Sequence, residues 1–256
     1  MKPVSHWMSS RGVGIAIYSL LGAVWVAATY ASLSLRASVP PFPIFASAND
    51  DEMQVFLADS IADGRWLGDW TQTTMSKGPG YPVFLPLAYD LGLNPMVAAQ
   101  VLYLLGATLV AGALLALVRS RWLPALLYPA LAMNPAMFGT PASRVYRESL
   151  TAALAILVLG VTLLIAWLVV RRMRVVWRIV VLIPASLVLG VGAGWLTQTR
   201  ADTMWIAVAL APISVASVFW GASSWRERGR HALQWAAVGA LSLGANASCQ
   251  TAANGV

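Results

Sequence analysis

The chain is written in long apolar runs separated by short polar breaks. Seven runs stand out, roughly Val13–Leu35, Leu93–Val118, Trp122–Phe138, Ser149–Val170, Val175–Thr197, Thr203–Trp220 and Ala232–Leu243. A helix needs about 20 residues to cross a bilayer, and most of these runs reach or approach that length. The pattern predicts an all-α, polytopic membrane protein with six or seven transmembrane helices in a single membrane domain, residues 1–256. The third run is short and carries Pro124, Pro129 and Pro135. Proline is tolerated in a span when neighbouring groups satisfy the freed carbonyls. The seventh run is short and weak, and its alternative is an interfacial helix. The first run exceeds the roughly 7–15 residues of a signal-peptide core, so it predicts a retained signal anchor.

The charges sit almost entirely in the breaks, and they alternate. Lys2, Arg11, Arg119, Arg121, Arg171, Arg172, Arg174, Arg178, Arg226, Arg228 and Arg230 fall on one set of connections, with Glu227 as the only acid among them. The other set holds Arg36, Arg65, Lys77, Arg144, Arg147 and Arg200 with the remaining nine acids. Alternate connections share a membrane side, and the basic side is cytoplasmic by the positive-inside rule. The expectation is a bacterial inner-membrane protein, multi-pass, with its N-terminus in the cytoplasm. Only 11% of residues are charged and 59% are hydrophobic, against roughly 25% charged in soluble domains. The net charge of +7 therefore reflects topology, and a nucleic-acid partner is not implied. One cysteine, Cys249, leaves no internal disulfide.

One connection is long. Residues 36–92 form the first outer loop, and long loops inside compact proteins are usually functional. Its entry, Val39-Pro-Pro-Phe-Pro, is extended, because proline bars helix. From Asp51 to Gly64 the pattern turns helical. At about 100° per residue, Asp51, Glu52, Asp59 and Asp63 fall within about 120° of each other, and Met53, Phe56, Leu57 and Ile61 take the opposite arc. This predicts an amphipathic helix lying on the membrane surface, acidic face toward water or a cavity, ended by Gly64. Asn49 can cap its start, with Glu52 at the capping-box position. Capping does not require Asp50 and Asp51 together. Two adjacent carboxylates can ligate a hard cation or accept a proton from a hydroxyl. Trp66, Trp70 and Tyr81 suit an interfacial aromatic belt, or a face on which a sugar ring stacks. Lys77-Gly-Pro-Gly-Tyr-Pro makes a rigid, close-approach turn that can set one cation near a phosphate.

An acidic pair after the first span, a surface helix, and then Gly64-x-Trp66-Leu67-Gly68 with Lys77-Gly-Pro-Gly-Tyr-Pro leading into span two resembles the GT-C fold membrane glycosyltransferases, in particular the family 39-like members. The resemblance covers roughly residues 1–220. It implies a polyprenyl- or dolichyl-phosphate sugar donor, a glycan, lipid or protein acceptor, and the surrounding membrane lipids as partners. It places the catalytic acid roles on Asp50 and Asp51, as base or metal ligand. Glu52 is a third candidate. Glu148 resembles the family's second acidic position, with Arg147 beside it, and Arg200 in Thr197-Gln-Thr-Arg-Ala-Asp resembles its phosphate-binding arginine turn. Lys77, Trp66 and Tyr81 complete the implied substrate set. The one cofactor considered is a divalent metal, Mg or Mn, held by Asp50 and Glu148.

The chain departs from that family in having fewer spans and a polar tail, residues 245–256, which is the pattern of a truncated or split product. Asn246-Ala-Ser within the tail matches a glycosylation sequon, a weak three-residue signal. The rival expectation is a non-catalytic multi-span protein: a transporter, a flippase or an assembly subunit. The interiors of the long runs lack ionisable residues, which argues against an ion-coupled transporter.

Overall fold

The structure is a computed structural model that describes residues 5–40, 50–68, 78–118, 120, 122–139, 144, 147–171, 174–200, 205–220 and 222–254. Among these, every regular element is helical. In chain order they are α1 (Ser5–Ser38), α2 (Asp50–Ala62), α3 (Gly80–Asp90), α4 (Pro95–Leu117), α5 (Trp122–Ala132), a 3-10 turn (Pro135–Met137), α6 (Glu148–Val170), α7 (Val175–Thr199), α8 (Trp205–Phe219) and α9 (Trp225–Asn254). Among the described residues, four stretches are long and apolar enough to cross a membrane: Ile15–Ser38, Pro95–Leu117, Glu148–Val170 and Val176–Thr199. They correspond to the first, second, fourth and fifth apolar runs.

The other runs depart from expectation for local reasons. The third is cut into α5 and the 3-10 turn at Asn134-Pro135, since a residue before proline disfavours the α region. Asn134 also caps the turn, accepting from the Ala136 amide at 3.1 Å, as Asn94 caps α4 from the Met96 amide at 2.9 Å. The sixth run shortens to Val208–Phe219 in its apolar part. The seventh run and the expected polar tail are one helix: α9 runs 30 residues, about 45 Å, through Asn246-Ala-Ser to Asn254.

Side-chain register gives the helix directions. Along α1, Trp25, Thr29, Ser32 and Arg36 share one face. Trp25 Nε1 donates to the Ala125 carbonyl at 3.1 Å, and the Thr29 hydroxyl bonds that of Tyr128. Gln100 Nε2 donates to Ser32 Oγ at 2.8 Å. So α1 runs parallel to α5 and antiparallel to α4, held by polar bonds along a helix whose other faces are exposed. The α4–α6 pair is parallel and close because glycines face it. A Cβ on Gly106 would sit 2.5 Å from the Leu157 amide nitrogen, and one on Gly160 2.7 Å from the Gly106 carbonyl. The α7–α9 pair is parallel in the same way, Gly190 facing Ser242 and Gly194 facing Asn246.

These directions sort the charges. Helices α1, α5, α7 and α9 start at an end holding Arg171, Arg174, Arg178, Arg226, Arg228 and Arg230, while α4 and α6 start at an end holding Asp51, Glu148 and Arg200. We call these the arginine-rich and acidic ends.

The long loop holds two helices where one was expected. Helix α2 ends as the sequence predicts: Gly64 has φ 76°, its amide bonds the Ile61 carbonyl and the Arg65 amide the Ser60 carbonyl, a left-handed glycine cap. Its facing differs. Helix α2 packs on α3, burying Asp51, Gln54, Leu57, Ala58 and Ser60. Glu52, Asp59 and Asp63 are exposed, and so is Phe56, from the expected apolar arc. The expected wet acidic face holds for Glu52, Asp59 and Asp63, and Asp51 departs from it. Asp51 turns inward because α3 supplies a cover that the sequence pattern does not announce.

Candidate functional site

The core at the acidic end joins five helices. Ala58 of α2, Tyr81, Phe84, Leu85 and Ala88 of α3, Ala98 and Ala99 of α4, Leu150 and Leu154 of α6 and Leu196 of α7 form one buried cluster. The polar groups sit around this cluster.

The Gly-Pro-Gly-Tyr-Pro turn docks on the end of α7. A Cβ on Gly78 would overlap the Gln198 carbonyl oxygen, and one on Gly80 would lie 2.7 Å from the Thr199 amide nitrogen. Trp195 Nε1 donates to the Gly80 carbonyl at 2.7 Å. The close-approach role of these glycines is thus met by protein backbone. Lys77 lies outside the described residues, as does Trp70.

Asp51 is fully buried and accepts two bonds from Arg144, from Nη2 at 2.8 Å and Nε at 3.1 Å. This side-on guanidinium–carboxylate pair joins α2 to the segment before α6. Glu148 opens α6, where an acid suits the helix dipole. Both its oxygens accept from Arg200 Nη1, at 3.1 and 3.2 Å. Arg147 Nη1 reaches the Thr199 carbonyl at 3.5 Å, at the limit of a hydrogen bond. Arg144 and Glu148 are four residues apart, no more than about 15 Å of chain. Asp51, Arg144, Arg147, Glu148 and Arg200 therefore converge on one end of the bundle. Asp50 opens α2, and its side chain lies outside the described residues.

Two aromatic candidates part company. Trp66 is half-buried, beside Leu67, which holds a left-handed φ of 54°. That conformation is costly for a non-glycine residue. Tyr81 is in the core, 2% exposed, its ring tilted against Phe84 at 6.1 Å. It does not offer an open face to a sugar. Burial pushes its hydroxyl well above the usual tyrosine value, and the Asp51 carboxylate adds to this. An unfolded tyrosine titrates near 10. Above about pH 10 the unfolded chain loses that proton and the folded one keeps it, so stability falls as pH rises further. Alkaline unfolding followed by circular dichroism should flatten in this range in Tyr81→Phe; an unchanged slope would place the effect elsewhere.

Sequence reasoning missed two cations. Arg144 is one. The other is Arg36, 2% exposed at the end of α1. Its Nη1 donates to the Met137 carbonyl at 2.9 Å and Nη2 to the Met96 sulfur at 2.8 Å. Its Nε is buried with no partner among the described residues. No carboxylate pairs with it there, which is costly for a buried guanidinium. The spacing of Trp25, Thr29, Ser32 and Arg36 on one helical face was the available signal.

Beneath the turn lies a cavity of about 320 Å³, apolar throughout, with Phe84, Leu102, Leu150, Leu154, Val191 and Trp195 among its walls. It opens between α3, α4, α6 and α7 on the side of the Gly80–Trp195 bond.

Among the described residues no three of histidine, cysteine, aspartate and glutamate come together. Of the two expected metal ligands, Glu148 is described and the Asp50 side chain is not. Glu148 already faces a guanidinium.

No protein-family model matches the chain, and no curated protein or solved structure is significantly similar to it.

Proposed function

We propose that the protein is a membrane glycosyltransferase, moving a sugar from a polyprenyl-phosphate donor to a glycan, lipid or protein acceptor at the acidic end. The carrying observation is the convergence of Asp51, Arg144, Arg147, Glu148 and Arg200, with buried Arg36, at one end of the bundle beside a wholly apolar cavity. An isoprenoid phosphate is an apolar tail with an anionic head, and this end offers a counterpart to each.

In this reading the sugar's anomeric carbon is attacked by an acceptor hydroxyl, and the bond to the lipid phosphate breaks. A carboxylate takes the hydroxyl proton. The resemblance puts the role on Asp50 or Asp51, and Asp51 is buried and already accepts from Arg144, so this reading assigns it to Asp50. Arg200 and Arg147, with Arg36 or Lys77, offset the charge left on the departing phosphate. Helices α5, α8 and α9 complete six or seven spans. By the positive-inside rule the arginine-rich end is cytoplasmic, which puts the N-terminus there and the chemistry on the outer face of a bacterial inner membrane.

A second reading is a non-catalytic assembly subunit. It is favoured by the two ion pairs, since Asp51–Arg144 and Glu148–Arg200 can serve simply to join α2, α6 and α7. Membranes carrying the wild-type protein or the Asp50→Ala variant, which leaves the Asp51–Arg144 pair in place, separate the readings. Transfer of labelled sugar from a polyprenyl-phosphate donor should be lost in the variant. Equal transfer by both would leave the subunit reading standing.

A further inference from the structure

The arginine-rich end carries a second arrangement that the proposed chemistry does not use. Arg178 lies in the first turn of α7 and is 7% exposed. Its Nη2 donates to the Arg171 carbonyl at 2.7 Å, and its Nε is buried without a partner among the described residues. The α7–α9 register, with Gly190 against Ser242 and Gly194 against Asn246, sets Arg178 opposite Arg230. Arg228 lies over the rings of Trp225, at 4.8 Å, and Phe219, at 5.6 Å, and its Nε is likewise buried and unpartnered. Arg171 lies over Trp167 at 5.0 Å.

Apart from Glu227, the charged side chains described at this end are arginines. Helices α7 and α9 are parallel and both begin at this end, so their positive dipole ends add to the arginines. The ion pairs among the described residues all lie at the acidic end. The single acid of this end, Glu227, accepts from the Ser223 amide at 2.8 Å and its hydroxyl at 2.9 Å. Burying Arg178 beside Arg230 without a carboxylate is unfavourable unless an anion joins them.

What lies next to the arginines says what the anion is attached to. A cavity of about 280 Å³ runs between α4, α6 and α8, and its lining exposes only apolar atoms. Leu163, Ala166 and Val170 form one wall, and Ile213, Ala216 and Trp220 another. Its mouth is at this end. Val170 immediately precedes Arg171, and Trp220 follows Phe219, on which Arg228 stacks. An inorganic anion would use the guanidinium groups and leave the cavity empty.

We propose that this end holds an anionic phospholipid, its phosphate between Arg178 and Arg230 and one acyl chain in the cavity lined by Ala166, Ala216 and Trp220. Guanidinium groups suit this because their forked donors match phosphate oxygens. Basic pockets between spanning helices bind acidic lipid headgroups on the same grounds. The site is independent of the chemistry at the acidic end.

The test uses the full chain purified in neutral detergent, with bound lipid read by native mass spectrometry and stability by thermal unfolding. Phosphatidylglycerol should be retained and should raise the Tm, while phosphatidylcholine at equal concentration should do neither. Arg178→Gln/Arg230→Gln should lower retention at least tenfold, and Ala216→Trp, which fills the cavity, should lower it with the arginines intact. Equal effects of the two lipids on the wild-type protein would overturn the proposal without recourse to any variant. A Tm rise of the same size with inorganic phosphate alone would also overturn it, in favour of a free anion.

Discussion

Arg144→Ala should destabilise the folded protein by about 3–5 kcal/mol, the usual loss when one partner of a buried ion pair is removed. The Asp51 side chain is fully buried and that of Arg144 is 32% exposed, so the loss falls on the buried carboxylate, which gives up both guanidinium bonds. At this chain length the drop corresponds to roughly 6–20 °C in Tm. The double variant Asp51→Asn/Arg144→Gln removes both charges and should recover much of the loss, because no buried charge is then stranded. Thermal unfolding of the two variants decides the matter. A single variant as stable as wild type would mean that the pair does not hold α2 to the segment before α6. The consequence for function is direct: a carboxylate whose removal is mainly structural is a poor candidate for the proton acceptor.

Gly78→Ala should be nearly as damaging. The added methyl would overlap the carbonyl oxygen of Gln198, which is backbone at the end of α7 and cannot swing aside as a side chain would. Overpacking of this kind costs about 1–3 kcal/mol, and the upper end applies where backbone must move. The displaced turn would also lose the 2.7 Å bond from Trp195 to Gly80. Trp195 fluorescence should shift with the loss of stability. Gly112→Ala is the control: it lies in α4 with nothing within 4 Å of the added carbon, and alanine favours helix. If both substitutions behave alike, the close approach of the turn to α7 is not what the glycines are for.

The residues that defeated sequence reading did so for physical reasons. The two-ended charge distribution was legible, because arginines between apolar runs can only sit at the ends of the helices. The cap at Gly64 was legible too, since a left-handed turn after an apolar-periodic stretch calls for glycine. The burial of Asp51 was not. On the helical wheel it sits at the border of the acidic arc, and a cover from α3 with a guanidinium 93 positions along the chain decides which way it faces. The Arg36 environment is likewise tertiary, built from Met96 of α4 and Met137 of the 3-10 turn. Helix α9 was hidden by composition: its outer half is polar, and it is held by close packing on Gly190 and Gly194 of α7, not by hydropathy.

The same contacts sharpen the candidate chemistry. Glu148 and Arg200 meet each other, so a phosphate at Arg200 would have to share it with a carboxylate. Arg36 has no such competitor among the described residues.

In the proposed reaction a carboxylate at the start of α2 takes a proton during sugar transfer. Because Asp51 is tied up in an ion pair, Asp50→Asn is the cleaner probe: it keeps the side-chain size and leaves Asp51 and Arg144 in place. The measurement is the rate of sugar transfer from a polyprenyl-phosphate donor by reconstituted wild-type and Asp50→Asn protein, with Tm measured on the same samples. The wild type should transfer sugar, and the variant should do so at least about 100-fold more slowly at unchanged Tm. Transfer at the wild-type rate by Asp50→Asn, or none by a folded wild-type protein, would contradict it.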